Sequence, residues 1–83
     1  APAWAQRPLE QLLNEELANH IKQAILDLPK KYRMVVVLRD QEGFSTEETA
    51  QILDISVSNA KVRLHRARLF LREKLKGYFD HEP

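Results

Sequence analysis

Hydrophobic residues recur at every third or fourth position over residues 9 to 28, which is the spacing of one helix face. Pro8 suits the first turn of such a helix, because a backbone N–H at that position would have no acceptor within the helix, and proline lacks this group. Pro29 ends the helix, because it disfavours α geometry at Leu28 and lacks a backbone donor. The pattern therefore predicts a first amphipathic helix, with an apolar stripe made of Leu9, Leu12, Leu13, Leu17, Ile21, Ala24, Ile25 and Leu28.

The next apolar segment, "YRMVVVLR", lies within residues 30 to 40 and is rich in β-branched residues. On composition alone it is compatible with a buried strand or with a helix. Since no other segment offers a partner strand, and a lone strand cannot pair its backbone groups, we predict a second helix that begins at Pro29. The following "QEGF" predicts a turn in which Gly43 adopts the left-handed conformation.

The segment "STEE", residues 45 to 48, has the pattern of a capping box, in which Ser45 and Glu48 each bond the other's backbone N–H. It predicts a short third helix from Thr46 to Leu53. The letters "DIS" predict a tight turn, after which Ser56 caps the last helix. That helix is expected to run from Val57 to about Lys76.

The predicted fold is an all-α, small four-helix domain that ends in a helix-turn-helix, because only three residues join the last two helices. Small residues at Ala50 and Ala60 allow those helices to pack closely, and Ile55 can fill the turn between them. We expect residues 1 to 8 to be a linker remnant of an excised fragment, residues 9 to 79 the domain, and residues 80 to 83 a tail.

At about 100° per residue, the last helix has two chemically different faces. The predicted core stripe consists of Val57, Ala60, Leu64, Ala67, Leu71 and Leu75. The opposite face, which we call the outward face, consists of Ser58, Asn59, Val62, His65, Arg66 and Leu69. Lys61 and Arg63 flank the outward face, and Arg68 and Arg72 lie beside the core stripe on the Lys61 side.

Charge is distributed unevenly in this 83-residue chain, whose formal net charge is +1. Residues 57 to 76 hold seven Lys or Arg residues and one Glu, whereas residues 1 to 29 hold two Lys or Arg residues and four acids. Such an asymmetry indicates an anionic partner for the last helix.

No apolar run approaches the roughly 20 residues of a membrane span. The absence of cysteine makes a cytoplasmic location the default expectation.

The outward face carries groups suited to the major groove of DNA. Arg can bond guanine bidentately, Asn and Ser can bond base edges or phosphate, and Val can pack on a thymine methyl. Flanking cations suit the two phosphate walls. A basic helix face is often only solvated. This face, however, lies on the second helix of the predicted helix-turn-helix and is almost free of acidic residues. Both features favour binding to double-stranded DNA.

Residues 28 to 75 resemble region 4 of bacterial sigma-70-type factors, and they are most similar to the extracytoplasmic-function group. The resemblance depends on the leucine-proline start, the tyrosine-arginine pair, the aliphatic run, the acidic-Gly turn and above all "LHRAR" after the three-residue turn. It implies recognition of the −35 promoter element by the last helix, docking on the β flap of RNA polymerase, and masking by an anti-sigma factor.

By position in the motif, the resemblance implies two sets of DNA contacts. The base-reading residues would be Lys61, Val62, His65 and Arg66, and the phosphate contacts would be Ser58, Asn59, Arg63 and Arg68. The chain departs from the family where "SNAKV" replaces the usual "GTVKS". Val62 thereby exchanges a hydrogen bond for a methyl contact. The promoter-melting region of a sigma factor is not in this sequence, so we expect no initiation by the chain alone.

Other functions are compatible with parts of the pattern. An enzyme is not expected, because His20, His65 and His81 are far apart and no spacing indicates a metal or general-base site. We expect no cofactor and no small-molecule substrate. One alternative is the helix-turn-helix output domain of a LuxR-type response regulator. A second is a protein-docking domain whose basic helix meets an acidic surface of polymerase or of an anti-sigma factor.

Overall fold

The computed structural model describes residues 9–80, and all of their regular structure is helical. The elements are α1 (Leu9–Leu26), α2 (Lys30–Val36), a π turn (Val37–Gln41), α3 (Thr46–Leu53) and α4 (Val57–Asp80). The predicted all-α domain with four helices is therefore confirmed. The expected linker at residues 1 to 8, and residues 81 to 83 of the expected tail, lie outside the described residues.

Among the stripe positions of α1 whose side chains are described, only those at the end of the stripe are buried. Ala24 and Ile25 in its last turn, and Leu28 just beyond it, are buried, whereas Leu13 and Ile21 are exposed. The helix ends two residues earlier than predicted, and the backbone N–H of Leu28 donates to the Ile25 carbonyl at 3.1 Å. The predicted first helix is therefore present, and the part of its apolar stripe that is seen to be buried lies at its C-terminal end, in a helix that contacts both α2 and α4.

The β-branched segment is helical, as predicted, because α2 begins directly after Pro29. Val35 and Val36 are each 1% exposed, so the run supplies the centre of the core. The helix then widens into the π turn, in which the N–H of Glu42 donates to the Val37 carbonyl at 2.9 Å. Single π turns of this kind are frequent near functional positions, and the sequence pattern had not indicated this one.

Capping interactions define α3 as the sequence predicts. The Ser45 N–H donates to Glu48 Oε1 at 2.9 Å, and the Glu48 N–H donates to Ser45 Oγ at 3.0 Å. The Ser45 backbone hydrogen bond, supported by the Ser45 side chain, lowers the pKa of the Glu48 carboxyl below its usual value. Gly43 has the predicted left-handed conformation, with φ of 79°.

Helix α4 is longer than predicted, since it continues through Gly77 to Asp80. Gly lowers helix stability by only about 1 kcal/mol relative to Ala. Gly77 also lacks the positive φ that would end a helix. With no proline nearby, the backbone hydrogen bonds of the preceding turns extend past it.

The core lies where α2 crosses α4. It consists of Ile25, Leu28, Tyr32, Val35, Val36, Leu64 and Ala67, with Val37, Leu53 and Leu71 packed against it. On one side of the crossing the Tyr32 and Phe70 rings lie with centroids 5.5 Å apart. On the other side Arg68 bonds Asp40. None of the helices in the described part of the chain is both long and apolar enough to cross a membrane.

Candidate nucleic-acid interface

The turn before α4 fixes where that helix starts. Asp54 is left-handed, with φ of 55°, and its short polar side chain tolerates this conformation. The N–H of Ile55 donates to the Ala50 carbonyl at 3.0 Å, which closes the end of α3. Ser56 Oγ then accepts from the Asn59 N–H at 3.0 Å, which confirms the predicted cap. The three-residue connection of a helix-turn-helix is therefore present.

The inner face of α4 matches the predicted core stripe except at its first residue. Ala60 and Ala67 are 0% exposed and Leu64 is 7% exposed, while Leu71 and Leu75 are half-buried. The prediction that Val57 anchors the helix is wrong, because it is 36% exposed. As the first residue of α4, it precedes the turn that carries buried Ala60. There, Ala60 and the buried Ala50 of α3 let the two helices pack closely.

All four residues predicted to read bases are exposed and lie within two turns of α4. They are Lys61, Val62, His65 and Arg66. Residues 57 to 72 contain no acid, so no carboxylate of this segment offsets their charge. The structure thus places a continuous polar and cationic face on the part of the helix that follows the turn, and one aliphatic side chain, Val62, lies within it.

The predicted phosphate contacts fall into two groups. Ser58, Asn59 and Arg63 are close to the start of α4, where Arg63 Nε donates to Asn59 Oδ1 at 3.3 Å. This bond holds the half-buried Arg63 along the helix surface. The N–H groups of a first helical turn and the positive end of the helix dipole add to the attraction for an anion there.

Arg68 is in a different environment from the other predicted phosphate contacts. Its Nη2 lies 3.0 Å from Asp40 Oδ1, and both side chains are partly exposed. Sequence reasoning missed Asp40, because 28 residues separate the two partners and no local pattern links them. Only the packing of the π turn against α4 brings them together.

An apolar groove adjoins the outward face. Tyr32, Leu69, Phe70 and the Arg66 and Glu73 side chains line it. Leu69 and Phe70 are 44% and 48% exposed. The groove shares Arg66 with the predicted base-reading set and Leu69 with the outward face.

In the described range, residues 9–80, no group of three or more His, Cys, Asp or Glu side chains could hold a metal ion. The features that the structure does bring together are a capped recognition-type helix, a close three-residue turn and an acid-free cationic face. Together they define a helix-turn-helix domain of the DNA-binding class.

Comparison with known proteins identifies the family within this class. The family model described as sigma-70, region 4, matches residues 19–71, and the chain belongs to that family. This membership decides between the sigma-type and LuxR-type interpretations of the sequence in favour of the former.

Among individual relatives, the chain is 44% identical over 69 residues to the ECF RNA polymerase sigma factor SigW of Bacillus subtilis (strain 168), covering 83% of the chain and 37% of the relative. It is 41% identical over 88 residues to the RNA polymerase sigma-E factor of Streptomyces avermitilis, covering 89% and 49% respectively. The ECF RNA polymerase sigma-E factor of Escherichia coli (strain K12) is 37% identical over 68 residues, with 82% and 36% covered. The chain therefore spans less than half the length of these curated relatives.

Proposed function

We propose that this domain recognises the −35 promoter element as part of a sigma factor, and that it thereby directs RNA polymerase to its promoters. The observation that carries this proposal is the exposed, acid-free face of α4 directly after a capped helix-turn-helix. Family membership supports it. The role is binding rather than catalysis, and it belongs in the cytoplasm, where promoter DNA and polymerase meet.

In this proposal the first half of α4 enters the major groove. Arg66 bonds a guanine through O6 and N7, and Lys61 and His65 bond acceptors on neighbouring base edges. These contacts carry sequence information, because each base pair presents a distinct pattern of donors and acceptors in that groove.

The phosphate contacts fix the position of the helix. Arg63 bonds one strand's backbone, supported by Asn59 and by Ser58 in the first turn. Arg68 reaches the backbone once it leaves Asp40. Such contacts supply affinity and salt dependence without sequence information.

The protein partners use a different surface. Leu13, Ile21 and Leu26 of α1 and Met34 of α2 are exposed apolar side chains. We assign docking on the flap of the polymerase β subunit to exposed apolar side chains of α1 and α2, and masking of the domain to an anti-sigma factor. Isolated apolar residues are normal on a protein surface, so binding to an isolated flap fragment is the direct measurement.

Selection from a random duplex library, with and without RNA polymerase, tests the DNA-binding proposal. The expected result is one enriched sequence motif that is the same in both selections and is recovered more strongly with polymerase. Binding to polymerase without any enriched motif would instead favour the protein-docking alternative, in which the basic helix meets an acidic protein surface.

A further inference from the structure

Within the first two turns of the outward face of α4, from Ser58 to Arg66, one side chain differs chemically from its neighbours; Leu69, the other aliphatic residue of that face, lies beyond them. Val62 is 45% exposed and lies outside the core cluster. Lys61 precedes it, and His65 and Arg66 lie three and four positions further on, all of them exposed. An aliphatic side chain in this place neither stabilises the core nor offers a hydrogen bond to solvent, base or phosphate.

The major groove presents one apolar group, the C5-methyl of thymine. Apart from ring C–H groups, which are smaller than a methyl, the other edge groups in that groove are hydrogen-bond donors or acceptors. Desolvating any of them against an aliphatic side chain without a replacement hydrogen bond is unfavourable. Thymine is therefore the base that gains most from contact with Val62.

We propose that Val62 is a specificity-determining residue that recognises a thymine through its 5-methyl group. This inference rests on the proposed function, since it requires α4 to enter the major groove. It divides base reading on α4 into two chemistries: Arg66 selects by hydrogen bonding, and Val62 selects by burial of a methyl group.

Two properties of the position support this role. A β-branched side chain in a helix has one strongly preferred χ1 rotamer, so the two methyl groups of Val62 are presented with little loss of conformational freedom on binding. Arg66 lies one helical turn away on the same face. The base pairs that the two residues contact are consequently close neighbours in the recognised sequence.

Replacement of thymine by deoxyuridine tests the inference, because it removes the methyl and leaves every Watson–Crick and groove hydrogen bond in place. The duplex is the motif enriched in the library selection, with one thymine replaced at a time. We expect one position at which the replacement weakens binding about fourfold, the effect of burying about one methyl group. In the Val62→Ala chain, the loss at that position falls below about twofold.

Val57→Ala is the matched control, because it shortens another exposed valine of the same helix away from the outward face. It should leave the deoxyuridine effect unchanged. Val62→Gln, which removes both γ-methyl groups and introduces a good helix-forming residue, serves as a second variant if circular dichroism shows that Val62→Ala is not folded.

The outcomes separate the two proposals. If the chain selects a sequence motif but Val62→Ala, or Val62→Gln in its place, leaves every deoxyuridine effect unchanged, the thymine assignment is overturned and the proposed function stands. If no duplex is preferred under any condition, the proposed function fails and the thymine assignment fails with it.

Discussion

Arg63 and Arg66 are three residues apart on α4, yet the structure gives them different surroundings. Arg66 is exposed on the outward face, whereas Arg63 is half-buried and bonded to Asn59 Oδ1. We expect Arg66→Ala to weaken binding to the preferred duplex by about 1–3 kcal/mol and to relax preference at one base pair. Arg63→Ala should weaken all duplexes alike and reduce the salt slope by about 1.

Titrations of preferred and scrambled duplexes at several salt concentrations distinguish these two effects, and each variant acts as the other's control. Retention of full sequence preference by Arg66→Ala would show that this arginine does not read a base. A loss of preference in Arg63→Ala would show that the division between the two residues is wrong.

Thr49 is the one buried polar residue of the described core, with 0% exposure and no hydrogen-bond partner for its Oγ1. Burying an unpaired hydroxyl is unfavourable by about 1–3 kcal/mol. Thr49→Val keeps the shape and removes this group, so we expect the free energy of unfolding to rise by about 1 kcal/mol, measured by urea denaturation. Thr46→Val, in the same helix but only half-buried, should bring no such gain. A destabilised Thr49→Val chain would indicate that the hydroxyl has a bound partner.

At the scale of elements, the π turn places Asp40 against Arg68 and so pairs a predicted phosphate contact with an acid of the same chain. Asp40→Asn should free Arg68 for the DNA backbone. The expected result is tighter binding to every duplex and a salt slope that is steeper by up to about 1. Stability should change by less than about 1 kcal/mol, because both partners are partly exposed.

Asp27→Asn provides the matched control for Asp40→Asn. It makes the same change in net charge and removes a similar pair, Asp27 with Lys74 at 3.2 Å, on the opposite flank of α4. Equal gains in DNA binding from both variants would mean that net charge is responsible, and not the release of Arg68.

The helices differ in how well the sequence alone predicts where each one begins and ends. The start of α3 follows from Ser45 and Glu48, which lie three residues apart and satisfy each other's backbone groups without help from other elements. The π turn and the end of α4 at Asp80 were not predicted. Both depend on backbone geometry that no single residue type imposes, since Gly77 permits either continuation or termination of a helix.

At the scale of the whole molecule, residues 9–80 form one helix-turn-helix domain, and the chain spans less than half the length of its curated relatives. Few phosphates are neutralised by one such helix, so we expect the chain alone to bind duplex DNA weakly. Its salt slope should lie between about −2 and −4, at about −0.9 per phosphate contact. Fluorescence anisotropy between low and physiological salt measures this slope. A value near zero would exclude binding through the phosphate backbone.

By itself, the sequence determined the helical class, the capping box, the three-residue turn and the cationic character of α4. These properties depend on residues within a few positions of each other, where spacing along the chain fixes spacing on a helix. The tertiary structure decided that Val57 is exposed, that Ala24 and Ile25 in the last turn of α1 are buried while Leu13 and Ile21 are exposed, and that Arg68 is paired with Asp40. These properties depend on which distant segments meet. The contacts between these segments are set by the packing of α2 and the π turn across α4. No local sequence pattern indicates them.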